Sequence, residues 1–236
     1  MKISVFLLLS FLFISDCLFS QFKLPIEYRF SGGEDGYSSF FSKNIKISDN
    51  EVKNGVFGNS ITKISVNPEG KIYGITIINS IDSIVDNEII RIIRLSDDQW
   101  KKSDTISYNQ SFYIQVGIAR PDFLPNFFRP KSSIFRRLFP KPIIITSGGD
   151  FKIPFLKSSE LSEKANINLD KEKFEEALPL ISELIKRDPF NRDLYKTRIM
   201  INIRLNRPEL VEADDNRIFN FAEGYSLDDL FKDQGK

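Results

Sequence analysis

The apolar positions change period along the chain, and each change marks an element. Behind the turn cluster Ser31-Gly32-Gly33-Glu34-Asp35-Gly36, Tyr37, Phe40, Phe41 and Ile45 fall at i, i+3, i+4 and i+8, which predicts a short helix capped by Asp35. Residues 56–66 and 71–78 then flank Asn67-Pro68-Glu69-Gly70. Proline at the second turn position and glycine at the fourth suit a type I turn, so the flanks are expected to pair as an antiparallel hairpin. In the second flank Tyr73, Ile75 and Ile77 share a face able to cover a helix. That helix follows, with caps offered between Asp82 and Asp86 and a wide apolar surface of Val85, Ile89, Ile90, Ile92 and Ile93. After Trp100 and a polar loop, Phe112, Ile114, Val116 and Ile118 alternate with Tyr113, Gln115, Gly117 and Ala119, the pattern of a strand.

Beyond residue 157 the spacing is helical. Leu161, Ala165 and Leu169 mark one helix; Phe174, Ala177, Leu178, Ile181, Leu184 and Ile185 mark a second that stops at Asp188-Pro189. Leu194, Tyr195, Ile199 and Ile203 suggest a third, and Pro208, Leu210, Ala213 and Ile218 a fourth with proline at its start. Between the two regions, residues 120–157 hold six of the 11 prolines and eight basic residues against two acidic ones, so this stretch is expected to be an extended, irregular linker. The fold class is therefore α+β followed by an all-α unit. The expected organisation is a signal peptide at 1–20, a mixed domain at 21–119, a linker at 120–157, a helical module at 158–222 and a tail at 223–236.

Composition narrows the chemistry. The 236 residues carry 33 basic and 32 acidic side chains, no histidine and one cysteine. Imidazole catalysis and most zinc sites are excluded, no metal or other cofactor is expected, and the chain reads as non-enzymatic. The cysteine, Cys17, lies in the apolar N-terminal stretch, so a mature chain lacking that stretch has neither thiolate nor disulfide chemistry. A net charge of +1 draws the protein toward neither nucleic acid nor acidic partners.

The N-terminal stretch reads as an export signal: Lys2, then apolar residues and serines through residue 14, closed by Asp16. It is shorter than the about 20 apolar residues a bilayer span needs. Cleavage after Ser20 and a periplasmic mature protein are the preferred reading. An uncleaved inner-membrane anchor and lipidation of Cys17 are the alternatives.

Element order and short signatures together resemble the TonB C-terminal domain family. The residues concerned are Phe30-Ser31-Gly32-Gly33-Glu34, Phe41 to Lys46, Val56-Phe57-Gly58 entering a strand, Asn67-Pro68-Glu69-Gly70-Lys71-Ile72, Asp86-Asn87-Glu88-Ile89-Ile90 and Trp100-Lys101, and the resemblance covers residues 30–119. Where the family often has Tyr-Pro after the first helix this chain has Ile47-Ser48, and where it often has Trp-x-Pro before the last strand this chain has Trp100-Lys101-Lys102. The helical region is similar to a tetratricopeptide repeat, with Ala177, Ile181, Leu184 and Pro189 at matching positions and a degenerate second copy behind. Two repeats fall short of the usual three, so the last helix is expected to pack on the first domain or on a partner.

The first resemblance implies a role in TonB-dependent transport across the outer membrane. The family's last strand lies at or near a sheet edge and accepts an extended segment of an outer-membrane receptor or other envelope protein. Carried over to this chain, partner binding falls on Phe112, Tyr113, Ile114, Gln115 and Val116, with Tyr113 and Gln115, opposite the core, adjusting specificity. The plain alternative is an ordinary edge strand. From another class comes a periplasmic scaffold whose helical repeat is the protein-binding surface. Trp100 reads as a core plug rather than a binding residue. The carboxylate pairs Glu34/Asp35, Asp97/Asp98 and Asp214/Asp215 read as caps and solvated faces, and Ser31-Gly32-Gly33 and Ser147-Gly148-Gly149 as turns. In the linker Phe123, Phe127, Phe128, Phe135 and Phe139 interleave with Arg129, Lys131, Arg136, Arg137 and Lys141. Export argues against nucleic acid. The phenylalanines either fold back onto the two domains or, through residues 132–139, touch an anionic membrane surface.

Overall fold

The computed structural model describes residues 26–105, 107–120, 123, 140–146 and 155–218. The expectations for the signal segment, for Cys17, for most of the linker aromatics, for Ser147-Gly148-Gly149 and for the tail fall outside those residues.

The described chain is α+β. A one-turn helix α1 (Ile26–Arg29) leads into α2 (Gly33–Asn44) and a short α3 (Asp49–Lys53), then β1 (Gly58–Val66), β2 (Ile72–Asn79), α4 (Ser83–Leu95) and β3 (Gln110–Ala119). A further strand, β4 (Ile143–Thr146), precedes four helices, α5 (Ser158–Asp170), α6 (Phe174–Arg187), α7 (Arg192–Arg204) and α8 (Pro208–Arg217). The sheet order is β2-β1-β3-β4, with β1 antiparallel to both neighbours and β4 parallel to β3.

The hairpin closes as its turn residues require. Asn67 N–H donates to Lys71 O at 2.9 Å and Gly70 N–H to Asn67 O at 3.0 Å. Gly70 sits at φ 83°, and a Cβ there would lie 2.4 Å from the carbonyl oxygen of Trp100, so both conformation and close approach demand glycine. In β2 a register irregularity opposite Ser65 and Val66 disrupts the alternation: Ile72 and Ile75 pack on the core, whereas Tyr73 is 58% exposed. Of the face expected of Tyr73, Ile75 and Ile77, Ile75 packs on the core and Ile77 keeps its alternating register, while the irregularity turns Tyr73 out of it.

Helix α4 begins where expected, with the Asp82 carboxylate accepting from Ile84 N–H at 2.8 Å. It buries Val85, Ile89, Ile92 and Ile93 against one face of the sheet. For α2 the capping expectation is corrected: Gly32, in the left-handed region, takes the N-cap position with no side-chain bond, and Asp35 lies inside the first turn. Trp100 is buried as a core plug, edge-on to Phe30, tilted against Phe112, and donating its indole N–H to Ser96 Oγ at 3.2 Å. Below it Arg29, fully buried at the end of α1, donates to the carbonyls of Lys101 and Asn67 and to the Gln110 side-chain oxygen. It thereby ties the hairpin turn, the loop after α4 and the start of β3 together.

The second face of the sheet is not free. Ile61 and Tyr113 belong to the same buried cluster as Leu161, Ala177, Ile181 and Tyr195 of the helices. Helices α5 and α6 form one hairpin, α7 and α8 another, and α6 lies against β1. Gly58 at φ 128° lets β1 approach so closely that a Cβ would meet Lys186 O at 2.8 Å. At the far end Arg217 donates to Ile78 O at 2.8 Å, so the last helix docks on β2. The four helices thus pack on the second face of the sheet, where Ile61 and Tyr113 join their buried cluster, and residues 143–146 of the stretch expected to be an irregular linker form a strand. Pattern and burial also diverge in α7 and α8, where Ile203 and Leu210 are exposed while Tyr195, Ile201 and Asn202 carry the buried side of α7.

Candidate functional site

Strand β3 forms because Phe112, Ile114, Val116 and Ile118, aromatic or β-branched, alternate along it, and both of its faces are used. Phe112, Ile114, Val116 and Ile118 enter the core beneath α4. Tyr113 enters the core beneath the helices, where burial pushes its phenol pKa up. Gln115 donates to Asn59 Oδ1 at 3.1 Å, and Asn59 Nδ2 donates to Arg187 O at 3.0 Å. This polar chain crosses from β3 through β1 to the C-terminal end of α6, with Asn79 adding a third link to Asn59 O at 2.6 Å.

Two expectations about the partner-binding strand therefore change. Phe112, Tyr113, Ile114, Gln115 and Val116 are all buried, none more than 6% exposed, and Tyr113 and Gln115 face the helices instead of an incoming partner. Nor is β3 the edge: it lies between β1 and β4. The period-2 pattern assigned the residues to faces correctly, but could not say that a second layer covers the outer one.

On this side of the sheet the edge strand, among the described residues, is β4, as β2 is on the other. It runs parallel to the C-terminal part of β3, with Val116 opposite Ile143, Gly117 opposite Ile144, Ile118 opposite Ile145 and Ala119 opposite Thr146. Ile143 is buried and Ile145 packs on the first core, while Ile144 is 51% exposed. Just before the strand, Lys141 N–H donates to Glu34 Oε1 at 2.6 Å and its ammonium lies 3.1 Å from Asp35 Oδ1 and 3.9 Å from Glu34 Oε2. The first turn of α2 thus receives this cation, and the Glu34/Asp35 pair is an anchor for the segment entering β4. Sequence reasoning passed over β4 because the prolines and basic residues around it set the reading. Its signal was the short run Ile143-Ile144-Ile145 behind Pro142.

The other acidic pairs divide. Asp97 caps the start of β2 by accepting from Ile72 N–H at 2.7 Å, and Lys71 reaches both Asp97 and Asp98, holding the Asp98 carboxyl below the usual range. Asp214 is not on a solvated face: it is buried, accepts two bonds from Arg198 at 2.7 Å each, and pairs with Arg217 at 2.6 Å. Of the linker aromatics Phe123 folds back, edge-on to Phe57, with the Arg187 guanidinium over its ring at 5.8 Å. Arg187 is itself buried, stacks on Phe155 at 4.7 Å and donates to Leu156 O at 2.7 Å. The sequence carried no signal for this latch beyond a basic residue at a helix end.

Among the described residues no group of three or more acidic, histidine or cysteine side chains is arranged to hold a metal ion, and no helix is long and apolar enough to cross a membrane. No family model matches the chain, and neither a curated protein nor a solved structure is significantly similar to it.

Proposed function

We propose that the chain is a non-catalytic protein of the bacterial envelope, exported to the periplasm, that takes an extended segment of an outer-membrane receptor or other envelope protein onto its sheet and so serves TonB-dependent transport. The observation that carries this reading is the parallel pairing of residues 116–119 of β3 with β4. A four-residue segment from elsewhere in the chain is added there by main-chain hydrogen bonds, with alternate side chains seated in the core. This is the bonding mode by which a partner strand would be held. The resemblance of residues 30–119 to the TonB C-terminal domain gives the reading its biological setting.

The test is calorimetric titration of the full chain with a synthetic peptide from the periplasmic N-terminal segment of a TonB-dependent receptor, alongside amide hydrogen exchange. Binding should protect amides of β3 and leave α7 and α8 unchanged. Failure to bind at any attainable concentration removes the reading. A second reading, the scaffold, draws on the exposed Met200, Ile203 and Leu210 of the last helical hairpin. Protection confined to that hairpin would favour it.

A further inference from the structure

The geometry at β4 points to what kind of segment this edge selects. Resting on the strand-addition reading, we propose that residues 141–146 occupy the partner's own place. The edge then selects an extended, parallel segment carrying a cation two residues before the first of two alternating β-branched residues.

Each part of that pattern has a counterpart on the protein. The cation position is set by Glu34 and Asp35, which hold the Lys141 ammonium and, through Glu34, its backbone N–H. Two residues on, Ile143 is 3% exposed beside Val116; two further, Ile145 packs on the same core. The alternate positions, Ile144 between them and Thr146 after them, are exposed and place no demand on an occupant. The direction is set by the register, which is parallel throughout. A tethered occupant competes at an effective concentration on the order of millimolar, so an incoming segment meets an edge that is mostly filled and its apparent affinity falls by the fraction left open. Weakening the internal occupant should therefore strengthen external binding. This sign is opposite to that expected if Lys141 and Ile143 were simply structural.

The probe is the acetylated, amidated hexapeptide Lys-Pro-Ile-Ile-Ile-Thr bearing a fluorophore, titrated by anisotropy against the full chain and two variants. Lys141→Glu turns the internal cation into a charge repelled by Glu34 and Asp35; Ile143→Ala removes the buried anchor. Hydrogen exchange at the amides of residues 116–119 that face β4 reports whether either variant opens the edge. The expected result is faster exchange in at least one variant, probe binding there tighter by about three- to tenfold than in the unmodified chain, and exchange slowed again by the probe. A probe with Glu in place of its Lys should lose that gain. If neither variant alters exchange, β4 is a fixed fourth strand and the proposal is overturned. If the edge opens and both probes bind equally well, strand addition stands but the selectivity proposed here does not. If the edge opens and neither probe binds while the receptor peptide does, this proposal alone fails. If nothing binds, the functional reading falls with it.

Discussion

Truncating Ile61 tests whether the helices and the sheet form one cooperative unit. Ile61 is fully buried in β1, paired with Asn79 of β2 on one side and Gln115 of β3 on the other, and its side chain lies among helical residues such as Ala177 and Ile181. Ile61→Ala removes three carbon groups at about 0.8 kcal/mol each. With the backbone held by a strand on both sides, the site cannot collapse, and a cavity term brings the loss to about 3 kcal/mol, within the range of such substitutions. For a urea m-value of about 2 kcal/mol/M the unfolding midpoint should fall by about 1.5 M. Two probes see different layers. The single tryptophan, Trp100, reports from the core on the opposite face of the sheet, and far-ultraviolet circular dichroism draws the larger share of its helical signal from α5–α8. The two curves should coincide in the parent chain and move together in the variant. A helical signal that melts in a separate transition, or keeps its midpoint while the Trp100 signal shifts, would refute the shared core.

Two further outcomes follow from local geometry. Burial holds the Asp86 carboxyl above its ordinary pKa, with neighbouring Asp82 adding to the rise. Its favourable contribution is therefore complete below the unfolded pKa and is lost as pH rises through the folded one, so Asp86→Asn should gain stability relative to the parent between roughly pH 3 and pH 7, as thermal melts across that range would show. Gly70→Ala should destabilise by about 1–3 kcal/mol, because φ 83° and contact with Trp100 O both oppose a Cβ, and denaturant titration would show a smaller loss if the loop simply shifts.

Local periodicity carried much of the fold and little of the site. The alternation of residues 112–118, the proline-glycine turn at 67–70 and the stripe on α4 were legible because each is a short-range pattern with one physical solution. The helical segments were legible for the same reason. What covers β3 was not: Tyr113 is an aromatic residue on an alternating strand whether water or a helix lies above it. Asn59 and Gln115 look like polar surface residues until α6 supplies the carbonyl that satisfies Asn59. β4 was hidden by composition, since four residues in a proline-rich basic stretch leave no period to measure. Asp214 reads as half of an acidic pair until Arg198, sixteen positions earlier, turns out to face it.

Arg29 has a consequence for tracing ancestry. Its three acceptors, the carbonyls of Lys101 and Asn67 and the Gln110 amide oxygen, are neutral, and they converge on a planar fork that an ammonium cannot reproduce. Two of them are backbone atoms, so Arg29 itself places no demand on the side chains at 67 and 101. The side-chain partnership is with Gln110, 81 positions away. In diverged descendants the arginine and its glutamine are expected to change together or not at all. A pair of coupled columns that far apart would connect distant relatives after overall identity has faded.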